Sequence, residues 1–83
     1  KILLNKRDRT MKLNQGKITG TYRVIQVNVQ QDLKRRLEVL GMTGGTVLEV
    51  MNKKSGGTMI VKIRGTRFAL GQRITENVEV EAS

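Results

Sequence analysis

Two glycine-centred breaks, Lys54–Gly57 and Gly65, cut residues 46–70 into three short runs that alternate in polarity. No other feature constrains the fold as tightly. In TVLEVMNK, Leu48 and Val50 share one face, while Glu49 and Lys53 lie on the other with Val47 and Met51. In TMIVKIR, Met59, Val61 and Ile63 point one way, and Ile60, Lys62 and Arg64 the other. TRFAL returns after Gly65. A period of two is the signature of half-buried strands. Breaks this short join antiparallel neighbours, because a parallel crossover needs many more residues.

Upstream, TYRVIQV (residues 21–27) is rich in β-branched and aromatic residues and reads as a strand. A helix follows in NVQQDLKRRLEVL. Asn28 is placed as its N-cap, with Gln31 completing a capping box. Val29, Leu33, Leu37 and Leu40 form one apolar stripe, and Asp32 can pair with Arg36 one turn on. Gly41 stands where a left-handed stop is wanted, and Met42 then meets Leu37 across the helix end. Residues 71–77 read as a single helical turn with Ile74 inward. Val78 and Val80 begin a closing strand with Glu79 and Glu81 outward. The expected fold is mainly β, a small barrel of about five strands with one α-helix after the first strand. Closure would remove exposed edges, and the helix would plug one end. Residues 1–11 are expected to be a tail outside the domain, which spans 12–83. In this reading Met11 is the native start, and the charged stretch before it is an extraneous segment or a basic arm.

The chain has no Cys and no His among its 83 residues. Disulfides, thiolate catalysis, zinc-finger sites and Ser-His-Asp sets are therefore excluded. Seven acids are scattered, and only Glu79 and Glu81 are close, on one strand face where solvation explains them. No catalytic residue, metal ligand or cofactor is expected. GMTGGT runs from a helix into a strand, the reverse of a phosphate loop. No apolar run approaches the roughly 20 residues of a membrane span.

What remains is contact with another molecule. Sixteen Lys and Arg against seven Asp and Glu give a net charge of +9, which favours an acidic partner. RNA or DNA is the rival, with Arg64, Arg67, Lys53 and Lys54 at two hairpin tips. Against it, the chain holds only Tyr22 and Phe68 for base stacking. A protein-binding surface fits the apolar residues that fall off the core pattern. These are Val39, on the side of the helix with Arg35, and Ile60, with Met42 and Met51 as flexible apolar surface.

The order and spacing of Leu40-Gly41-Met42, Gly45, Gly65-Thr66, Phe68-Ala69-Leu70 and Val78–Val80 resemble the FeoA family, over about residues 12–81. That family is the small cytoplasmic component of bacterial ferrous iron transport. The resemblance implies an SH3-like barrel and a non-enzymatic role. It also implies a partner, the FeoB-type membrane transporter with a cytoplasmic GTPase domain, and with it a cytoplasmic location, peripheral at the membrane through that partner. The same barrel resembles the C-terminal domain of iron-dependent repressors, which leaves a stand-alone relative of that domain as an alternative. Weak self-association through a barrel edge is also open. The family's Leu-Gly-hydrophobic corner maps onto Leu40, Gly41 and Met42. The expected partner surface is therefore Arg35, Val39, Leu40, Gly41 and Met42. On that expectation Met42→Asp leaves the fold intact and weakens transporter binding.

Overall fold

The computed structural model describes residues 10–83. Six antiparallel strands form one sheet: β1 (Thr10–Lys12), β2 (Thr21–Val27), β3 (Val47–Lys53), β4 (Met59–Ile63), β5 (Thr66–Leu70) and β6 (Val78–Ala82). Helix α1 covers Gln31–Val39 and the one-turn helix α2 covers Gln72–Thr75. Strand order is β1-β6-β2-β3-β4-β5. Among the described residues the sheet is not closed by hydrogen bonds, and β1 and β5 end its strand order. The expected full closure is corrected to a curled open sheet. Curvature enters at two register shifts, between Val24 and Gln26 on β2 and between Val50 and Asn52 on β3. Such bulges bend a strand and increase its twist. The first one leaves Ile25 and Gln26 both exposed in succession.

The alternation read from β3 and β4 holds. Leu48, Val50, Met59, Val61 and Ile63 are buried, as are Val78 and Val80 of β6. The β4–β5 connection is a two-residue turn. Arg64 and Gly65 both take positive φ, 53° and 84°, between the paired Ile63 and Thr66. That backbone matches the twist of adjacent strands.

Three parts differ from expectation. β1 and the 3-10 turn Leu13–Gln15 went unread. Thr10–Lys12 pairs with Lys12 opposite Glu79 on β6, and Leu13 is fully buried. β1 thus takes in Thr10 and Met11, the end of the tail expected over residues 1–11; residues 1–9 of that tail lie outside the described residues. Helix α1 starts later than expected, with Gln30 at the N-cap and no side-chain capping bond. Asn28 is held elsewhere: its N–H donates to Asn77 O at 2.8 Å, and its side-chain amide donates to Glu79 Oε1 at 3.4 Å. Finally, Thr75 of α2 is fully buried, while Ile74 packs only partly against the core.

The end of α1 follows the expected stop in detail. Gly41 has φ 98°, its N–H donates to Glu38 O at 2.9 Å, and the Met42 N–H donates to Leu37 O at 2.9 Å. These two bonds define a Schellman motif. A Cβ at Gly41 would also lie 3.3 Å from Ile63 Cγ2. Gly41→Ala is expected to cost about 1–2 kcal/mol, the penalty of a left-handed L-residue. A urea melt showing an unchanged midpoint would contradict this.

Candidate functional site

The site is built from the C-terminal end of α1 and the loop behind it. Gly41 reverses the chain and sends Met42 back over the helix end, where both Met42 and Leu37 join the core cluster. The loop is then tied to β2: Gly45 N–H donates to Val24 O at 2.7 Å, and Val24 N–H donates to Thr46 O at 2.8 Å. The Thr43 and Thr46 hydroxyls lie 3.0 Å apart, and Thr46 N–H donates to Thr43 O at 3.1 Å. Arg23 Nη1 adds a contact to Gly45 O at 3.4 Å. These bonds brace the corner.

Val39 is 86% exposed and Leu40 40% exposed at this projection. Arg35 and Arg36, each one turn back from one of them on the helix surface, are exposed as well. The Leu40 N–H closes the last turn on Arg36 O at 3.3 Å. Tertiary structure adds a residue that the linear reading placed elsewhere. The Arg64 side chain crosses the corner, with Cδ and Nε 3.6 Å from where a Gly41 Cβ would stand. An apolar pair thus carries guanidinium groups on its rim.

Of the five residues expected at this surface, Arg35, Val39 and Leu40 are accessible. Met42 is corrected: it is 1% exposed and belongs to the core. Gly41 is buried too, and shapes the corner from beneath. The physical reason is the motif itself. A Schellman stop brings the residue after Gly41 back toward Leu37, and Leu37 itself lies in the core, so Met42 is drawn in with it. Met51 and Ile60 are half-buried on the outer sheet face.

Two further surface features stand apart from the corner. An open groove of about 470 Å³ at the other end of α1 is lined by Asn28, Val29, Gln30, Leu33, Arg73, Glu76 and Asn77. Its one carboxylate, Glu76, is exposed. A cleft of about 330 Å³ beside Gly44 and Gly45 is lined by Thr10, Arg23, Val24, Ile25 and Glu81 as well. Among the described residues, no three acidic groups come together as a metal site, and no helix is long and apolar enough to cross a membrane. Tyr22 is buried and receives the Lys17 N–H on its hydroxyl at 2.7 Å; Phe68 is half-buried. The Tyr22 ring therefore offers no free stacking face.

The FeoA domain family model matches residues 11–82. The chain belongs to the FeoA family. That membership supports a role in ferrous iron transport and accounts for the small SH3-like β domain. No protein of curated function matches the sequence. Among solved structures, an FeoA described as an iron uptake regulatory protein is 22% identical with a TM-score of 0.81; the match covers 89% of this chain and 99% of that one. FeoA of Chlorobium tepidum is 26% identical with a TM-score of 0.81, over 87% of this chain and 70% of its own. A manganese-dependent transcriptional repressor shares the fold at 17% identity and a TM-score of 0.81, over 89% of this chain but only 42% of its own length.

Proposed function

We propose that this FeoA-family protein is a non-enzymatic accessory of ferrous iron uptake that binds the cytoplasmic part of an FeoB-type transporter. The observation that carries the reading is the exposed Val39–Leu40 pair on a hydrogen-bonded corner, rimmed by Arg35, Arg36 and Arg64. An interface draws affinity from a desolvated apolar centre, while charge at the rim raises encounter rate and sets orientation. The net charge of +9 suits an acidic face on the transporter. This role places the protein in the cytoplasm, at the membrane through its partner. Nucleic-acid binding is less well supported, because Tyr22 is buried and Phe68 half-buried.

The test is the double variant Val39→Asp, Leu40→Asp. Both positions are exposed, so folding is expected to be unchanged. Affinity for the isolated cytoplasmic domain of the transporter is expected to fall by about 2 kcal/mol or more, roughly 30-fold in Kd. An unchanged Kd in a normally folded variant overturns the proposal. Tight single-stranded RNA binding at physiological salt, lost steeply as salt rises, would favour the nucleic-acid reading.

A further inference from the structure

We propose that the open edge of β5 is a second docking site, which takes an extended acidic segment of a partner protein by strand addition. It is a different surface from the helix corner and does not depend on that reading. β5 ends the strand order and, among the described residues, pairs only with β4. The turn at Arg64 and Gly65 sets which groups face outward. In a two-residue hairpin the closing pair, here Ile63 and Thr66, is hydrogen-bonded, and bonded and non-bonded pairs then alternate. Thr66, Phe68 and Leu70 therefore bond to β4. The N–H and C=O groups of Arg67 and Ala69 point away from the sheet, and neither residue joins a loop or turn bond among the described residues.

Of the usual edge protections this strand carries one, the charge of Arg67. β5 runs five residues in unbroken register, with no proline and no bulge. An unpaired regular edge is a template for another strand.

The side chains state what that strand carries. On the outer face Arg67 stands directly opposite Lys62, a like-charged pair that weakens the sheet. Lys62 has Glu49 on its other side, but Arg67 is at the sheet's end and, among the described residues, has no strand beyond it. An added strand would set a carboxylate there. Two residues along, the exposed Ala69 opposite the half-buried Ile60 favours an apolar side chain. Between them, on the core side, half-buried Phe68 favours another. A second copy of this chain is disfavoured, since each copy has a net charge of +9 and brings the same basic edge.

The test is an amide NMR titration of the full chain with a capped peptide alternating glutamate and valine, at low salt. The expected result is slowed hydrogen exchange and shifted signals at the Arg67 and Ala69 amides, weakening as salt rises. Ala69→Pro removes one outward N–H without touching the β4 ladder and is expected to weaken binding up to about tenfold. Arg67→Glu is expected to abolish binding of this peptide and to favour one alternating lysine and valine, which keeps the test decisive if the proline variant folds poorly. Val39→Asp, Leu40→Asp should bind the peptide normally. The proposal is overturned if Arg67 and Ala69 are unaffected up to about 1 mM peptide, or if Arg67→Glu binds both peptides equally. It is also overturned if the edge amides are already protected by concentration-dependent dimerisation.

Discussion

Met42→Asp is expected to unfold the domain. Met42 is 1% exposed within the apolar core cluster, so the substitution places a carboxylate in that cluster. Loss of the buried thioether side chain costs about 1.5–3 kcal/mol. An uncompensated buried charge adds about 3–5 kcal/mol. A domain of ordinary stability holds only about 5–15 kcal/mol, and small cores fall at the low end. The cooperative thermal transition seen by circular dichroism should therefore vanish or move far down in temperature. Met42→Leu, close in volume, should stay within about 1.5 kcal/mol of the parent. A folded Met42→Asp with an unchanged melting point would remove Met42 from the core. The consequence for function is direct: lost transporter binding in Met42→Asp reports unfolding, and only Val39 and Leu40 can test the corner as a surface.

Leu13→Ala should lower stability by about 2–5 kcal/mol, the range for leucine truncation at a fully buried site. Leu13 is 0% exposed, in a 3-10 turn that packs near α2 and β6. The turn is short, braced by the Gly16 N–H on Leu13 O at 2.8 Å and the Lys12 N–H on Gln15 Oε1 at 3.2 Å. Its place in the fold therefore depends on the side chain it buries. Urea unfolding should show a shifted midpoint with an unchanged slope. A shift equivalent to under about 0.5 kcal/mol, the size of an ordinary surface substitution, would make this segment an accessory to the core.

The strands from 46 to 70 were legible because each buries one face only, so polarity alternates residue by residue along β3 and β4. The helix stop was legible because Gly41 supplies a backbone geometry that few residues adopt. Leu13 was not legible. A single buried leucine in a three-residue turn has no period. Asn28 misled for a related reason. As a local signal it is a good helix cap, but strand β6 and the segment after α2 supply partners that hold it at the end of β2. The corner was half legible. Val39 stood out by lying off the stripe, yet Met42 was read as surface because exposure cannot be told from composition alone.

The amino-acid order by itself determined the antiparallel strands, the helix that stops at Gly41, and the absence of histidine and cysteine chemistry. These depend on side-chain periodicity, on the conformational freedom of single residues and on which functional groups exist at all, and each is a local property. Tertiary structure alone decided that the described strands leave the sheet open between β1 and β5, that Met42 faces inward, and that Arg64 arrives beside Gly41. Those outcomes depend on which distant segments share a surface, because burial and juxtaposition are set by the packing of the whole chain.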